Sequence, residues 1–156
     1  MEIDEAVIEE ASLVLEYIQK KAEFDGKVRG EPCEVSTTLE NIEKTMFGDT
    51  PFAKVIFARN DLSNVVGFAL YHIRYSSFSG KPYVWLDDLL VDSNVRSKGI
   101  GKQLMQALRN IGMNINASHL SWNASTKNIR GQKFYDQLGA VQERQEGSLL
   151  FYRYDI

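Results

Sequence analysis

Two stretches of the chain carry residue types that can do chemistry. The first is NVRSKGIGKQL, residues 94–104, where Arg96, Lys98 and Lys102 surround glycines at 99 and 101. Glycines let backbone N–H groups crowd together where a Cβ would intrude. The first turn of a helix leaves such groups unpaired at the positive end of its dipole, a setting that suits an anion. A plain surface turn accounts for the same glycines. The second stretch is VWLDDLLV, in which Asp87 and Asp88 interrupt an apolar run. Burying two carboxylates is costly unless something compensates. Pairing of each with loop N–H groups or a basic residue would compensate. Neighbours on a strand face opposite sides, so a shared role at one point in space requires a bulge.

Of two familiar phosphate loops, one fails against residues 94–104 and the other fits them weakly. A P-loop needs a hydroxyl residue after Gly-Lys, yet Gly101-Lys102 is followed by Gln103, and Arg96 stands where its first glycine belongs. A dinucleotide fingerprint needs a third glycine and a β-α prelude, but Leu104 occupies the third position and hairpin-like strands precede it.

The elements that must position these residues follow from periodicity. Ile8, Ala11, Leu15, Ile18 and Ala22 recur at helical spacing, predicting a helix from about Asp4 to Lys21, then a turn-rich acidic loop, EFDGKVRGEPCE. Thr37 with Glu40 three residues on reads as a capping box for a second helix, striped by Leu39, Ile42 and Met46 and ended by FGDTP. Strands are predicted at 54–59, 65–75 and 83–91, joined by hairpin turns. A third helix opens at the glycine loop with Ile100, Leu104, Leu108 and Ile111 on one face. A strand at 119–124, a helix from about Lys127 to Leu138, and short strands at 140–143 and 149–154 complete the chain. Helices interleave with a mostly antiparallel sheet, so the class is α+β with a mixed sheet.

Composition bounds the possibilities. The 156 residues are 44% apolar and 25% charged with net charge −3, so nothing pulls the chain toward nucleic acid or an anionic membrane. The lone Cys33 fits a reducing compartment, and the acidic MEIDEAVIEE is unlike a signal peptide. No apolar run reaches the roughly 20 residues of a membrane span. His72 and His119 fall on separate strands without metal-like partners, so no metal is expected. The expectation is one soluble, cytoplasmic domain over residues 1–156.

The loop also reads R-x-x-G-x-G, Arg96-Ser97-Lys98-Gly99-Ile100-Gly101, after a strand and before a helix. LDDLLV precedes it and N-x6-YDQLGA, from Asn128, follows. In this order the motifs resemble the acetyl-CoA pyrophosphate loop and its surroundings in the GNAT superfamily of N-acetyltransferases. From about Ile56 to Ile156, and above all in VVGFALYHIRYSSFSGKPYVWLDDLLV, the chain is most similar to the diamine (spermidine/spermine) and thialysine acetyltransferase branch.

The resemblance implies a GNAT-like fold with about four helices, acetyl-CoA as co-substrate, and acetyl transfer to a primary amine of a small aliphatic amine, a polyamine or a lysine-like amino acid. A peptide or protein amine as acceptor, or a non-catalytic acyl-CoA module, are the alternatives. Such transfer needs a positioned thioester, a neutral amine, a stabilised oxyanion and a proton for the leaving thiolate. The family pattern puts the pyrophosphate on Arg96, Ser97, Lys98, Gly99, Ile100, Gly101 and Lys102. The pantetheine arm falls to the backbone of Leu89, Leu90 and Val91, whose side chains are equally core. Asn128, Ile129, Arg130 and Gly131 form a second cofactor patch, with Asn128 also a natural helix cap. Tyr135 becomes the general acid, its phenol protonated at neutral pH with an ordinary pKa of about 10. Asp87 aligns with the branch's amine-contacting carboxylate, and Asp88, Phe24, Asp25 and Trp122 fall on the acceptor side. Phe24 as a loop anchor and Trp122 as core are the plain readings of those two.

The family's opening strand is missing or minimal here, and Leu138 replaces a basic residue beyond the tyrosine. The C-terminal strand LLFYRYDI, if left at a sheet edge, would invite pairing. The branch commonly dimerises through that end, so a homodimer is expected.

Overall fold

Apolar runs covered on both faces form the central strands of one seven-stranded sheet in the computed structural model, which describes residues 1–156. The strands are β1 (Glu2–Glu5), β2 (Lys54–Arg59), β3 (Val65–Ser76), β4 (Lys81–Val91), β5 (His119–Ser125), β6 (Val141–Glu146) and β7 (Leu149–Asp155), in spatial order β1-β2-β3-β4-β5-β7-β6. All neighbours are antiparallel except β4 and β5. The helices are α1 (Ala11–Arg29), α2 (Leu39–Met46), α3 (Ile100–Asn114) and α4 (Ile129–Leu138). The α+β class with a mixed sheet and four helices therefore holds.

Each face of the sheet has its own core. On one face Ala11, Val14 and Tyr17 of α1 and Ile42 of α2 pack on Val55, Phe57, Phe68 and Leu70. On the other, Leu104, Met105 and Leu108 of α3 and Tyr135 of α4 pack on Ala69, Val84, Leu120, Trp122 and Tyr152. Apolar burial of this kind stabilises by about 25 cal/mol per Å2.

The opening strand is minimal, one of the two alternatives expected: four residues paired to β2 through Glu2–Arg59 and Glu5–Ile56. Three other sequence expectations need correction. The first helix begins at Ala11 and runs to Arg29, taking in EFDGKVR, which was expected to be loop. Gly26 misleads because it sits inside the helix at a close approach: a Cβ there would stand 3.1 Å from the Glu31 carbonyl as the chain folds back. The cap of α2 is Thr38, whose side chain accepts from Asn41 N, one residue after the expected Thr37. Finally, β7 lies between β5 and β6, so the sheet edges are β1 and β6. The exposed β6 carries Glu143, Arg144 and Glu146, charges that discourage strand addition.

Candidate active site

Two breaks in regular pairing shape the site, and both lie on β4. Its parallel pairing with β5 is confined to Val84–Leu120 and Trp85–Ser121. Beyond Leu86 the two strands part, and the flank of β4 that faces β5 has no strand partner through Val91. The second break is a register shift opposite Leu70 and Tyr71, which pair with Asp88 and Leu86. Asp87 is the extra residue of this bulge. A bulge is what two adjacent carboxylates need to escape strict alternation.

The gap opens into a groove of about 690 Å3. Leu89, Leu90 and Val91 form one wall, and Arg96, Ser97, Gly99, Ile100, Gly101 and Lys102 form another. Asn128, Arg130, Gly131 and Tyr135 complete it from α4, with Phe24 reaching in from α1. Two expected cofactor residues stand apart: Lys98 is exposed and Ile129 is 56% exposed, and neither lines the groove. Lys133, Phe134, Gln137 and Leu138 line it without having been singled out for that role. Their spacing at i, i+1, i+4 and i+5 on the helix that carries Tyr135 was the available signal.

The glycine loop is shaped for an anion. Ser97 (φ 67°) and Gly99 (φ 81°) are both left-handed, a backbone turn that gathers successive N–H groups. The first helical hydrogen bond of α3 runs from Gln103 N to the Gly99 carbonyl at 3.0 Å, and no side chain caps the helix. The amides of Ile100, Gly101 and Lys102 therefore have no helical acceptor. By contrast, α4 is self-capped: Asn128 Oδ1 accepts from Gly131 N at 2.9 Å, while Asn128 also lines the groove. Arg96 spends its Nε on the Val91 carbonyl at 2.9 Å, and its guanidinium lies 5.2 Å from the Phe24 ring centre. Burial, with Arg130 nearby, pushes that guanidinium below its ordinary pKa. Arg130 reaches Ser97 Oγ at 3.4 Å and so ties the two patches together.

Tyr135 is 9% exposed, packed against Trp122 at 5.1 Å and Tyr152 at 5.0 Å between ring centres. Burial, then the fields of Tyr152 and Asp25, raise its phenol pKa well above the ordinary value, so it holds its proton. Trp122 is 1% exposed and absent from the groove wall. Its place is behind Tyr135, as core.

The acidic residues gather beyond Phe24. Asp87 is exposed and accepts from Trp85 Nε1 at 3.4 Å. Asp88 is the covered one of the pair, with 22% of its side chain exposed. Burial raises its pKa to about 6, Lys21 opposes this, and Asp87 and Asp25 add to it. Lys21 Nζ bonds both oxygens of Asp25 at 2.6 and 2.7 Å and lies 3.9 Å from Asp88. Sequence reading missed Lys21. Its four-residue spacing from Asp25 was visible, but pairs the two only if the helix is carried through Asp25.

A splayed parallel pair, an open helix N-terminus and a phenol thus share one groove. Residues 17–140 match the acetyltransferase (GNAT) family. The chain belongs to this family. It is 27% identical over 154 residues to a mouse thialysine N-epsilon-acetyltransferase, covering 91% of this chain and 85% of the relative. It is 30% identical over 86 residues to an L-ornithine N5-acetyltransferase of Arabidopsis thaliana, covering 54% and 38%. A tetramutant of a Bacillus halodurans protein superposes with a TM-score of 0.81 at 20% identity, over 94% of this chain and 97% of that one. GNAT enzymes use acetyl-CoA as co-substrate. The residues present suit a CoA diphosphate: uncapped amides and a left-handed turn at the head of α3, beside a strand flank free to pair.

Proposed function

We propose that this GNAT enzyme transfers acetyl from acetyl-CoA to a primary amine of a small aliphatic amine. The observation that carries the reading is the shared groove, where the uncapped start of α3 and the unpaired flank of β4 converge on Tyr135, with a carboxylate cluster alongside. Bound acetyl-CoA supplies an activated acetyl group on a thioester. The amides of Ile100, Gly101 and Lys102 hold its diphosphate, and the β4 backbone from Leu89 to Val91 orients its arm. An acceptor arrives as an ammonium attracted by exposed Asp87. Asp88, with a pKa near 6, is ionised at neutral pH and accepts the ammonium's proton through water. The freed amine forms the new C–N bond as the C–S bond breaks, and the acylated nitrogen releases its second proton to solvent. Tyr135 gives its proton to the departing sulfur and regains one from solvent.

Acetylation assays across polyamines, lysine-like amino acids and short peptides should show CoA release with the first two classes. Tyr135→Phe keeps the ring packed on Trp122 and Tyr152 and removes only the acid. Turnover should fall by about 100-fold with CoA affinity unchanged in calorimetry. Undiminished turnover would remove Tyr135 from the mechanism.

A further inference from the structure

The carboxylates that would receive an acceptor's ammonium already hold one. Lys21 is 17% exposed, bidentate on Asp25 and 3.9 Å from Asp88. Its Nζ also lies 6.0 Å from the centre of the Phe24 ring, the same ring that lines the groove. An aromatic face between carboxylates is the environment an aliphatic ammonium seeks. Here the chain fills it from within.

The charge count follows. Asp25, Asp87 and Asp88 bring three negative charges and Lys21 returns one positive, leaving two. Of the three carboxylates only Asp87 is exposed. A diamine or polyamine placing its reacting nitrogen at Asp87 and Asp88 would bring a second ammonium toward Lys21. In a partly covered site that repulsion is only weakly screened. An amino acid meets a milder field, because a carboxylate balances its non-reacting ammonium.

Resting on the acetyl-transfer reading above, we propose that Lys21 determines acceptor specificity: its ammonium occupies the second cation position, between Asp25 and Asp88, so the enzyme favours lysine-like amino acids and disfavours polyamines. The residue acts by occupying a charge position and takes no part in proton transfer.

Lys21→Met removes the charge and keeps the aliphatic stem, whereas Lys21→Arg keeps the charge. Relative kcat/KM for spermidine over lysine should rise about ten-fold in Lys21→Met and stay at the wild-type ratio in Lys21→Arg. A ratio that moves less than about two-fold in Lys21→Met, with CoA still bound, overturns the proposal. Lys21→Gln, which retains a donor to Asp25, repeats the test if the methionine variant folds poorly. The acid limb of the pH profile gives a second readout. Lys21 faces Asp25 on α1 and Asp88 on β4, with Asp87 beside them, and it alone among these holds the Asp88 pKa down. Its loss should therefore move that limb to higher pH, which a merely structural lysine would not do. A third measurement needs no turnover: spermidine titrated into CoA-saturated protein should bind about ten-fold tighter to Lys21→Met than to wild type. Equal affinities count against Lys21. If wild type acetylates no amine while Lys21→Met gains spermidine affinity, the transfer reading falls and the role of Lys21 stands.

Discussion

Asp88 concentrates the conflict between folding and chemistry in one side chain. Burial lifts its carboxyl from 3.8 to about 6, so between those values the folded chain keeps a proton that the unfolded chain has released. Proton binding that favours the folded state stabilises it below about pH 3.8, and the contribution is lost as pH rises through about 6. Asp88→Asn should thus match wild type in urea denaturation at acid pH and exceed it by on the order of 2 kcal/mol at pH 8. Lys21 retains Asp25 in that variant, so no charge is stranded. The same substitution should abolish the acid limb near pH 6 in kcat/KM and lower acetyl transfer, a stabilising change that costs function. Coincident stabilities at pH 8 would show that the carboxylate carries no such cost. In the sequence, two acids in an apolar run announced a strained position. Which one is covered was not legible, because a bulge decides it.

At the scale of elements, α1 shows how local pattern and packing divide the information. Its inward face reads Ala11, Val14, Tyr17, Lys21 and Asp25, apolar at first and charged where the helix passes the acidic end of the site. The apolar half was legible as a helix: of the expected stripe Ala11 is buried and Leu15 and Ile18 pack against the core, whereas Ile8 is 49% exposed and the fully covered Val14 and Tyr17 lay outside it. Tyr17 fixes the helix, since its hydroxyl donates to the Val65 carbonyl and contacts Asp92 Oδ2 at 3.1 and 3.2 Å. Tyr17→Phe leaves that carbonyl and Asp92 short of a donor. It should cost about 1 kcal/mol in urea denaturation. An unchanged midpoint would mean that water replaces the hydroxyl without loss. The strands were easier: β2 and β5 fell within a residue of expectation, because a short apolar run bounded by turn residues is written in consecutive residues. The point where β4 leaves β5 was invisible, being a property of two strands at once.

For the whole molecule, the order of strands overturned one argument about assembly. β7 is covered by β6, so an open edge at LLFYRYDI is no longer a reason to dimerise. We still propose a homodimer on the family resemblance, built by faces or loops and not by strand addition to β7. Light scattering after size exclusion should give twice the mass of the chain. A mass of one chain at all concentrations would reject it. None of the helices is long and apolar enough to cross a membrane.

The sequence by itself determined what depends on neighbours along the chain: the helix and strand periods, the Asn128 cap, the turn at Gly99, and the order of motifs that places the chain in its family. Those features are set by backbone sterics and short-range hydrogen bonding within a few residues. Only the tertiary structure decided which carboxylate is covered, where β4 parts from its neighbour, and that Lys21 meets Asp88. Such contacts join distant segments whose meeting depends on the packing of both faces of the sheet, and burial and long-range charge exist only once that packing is complete.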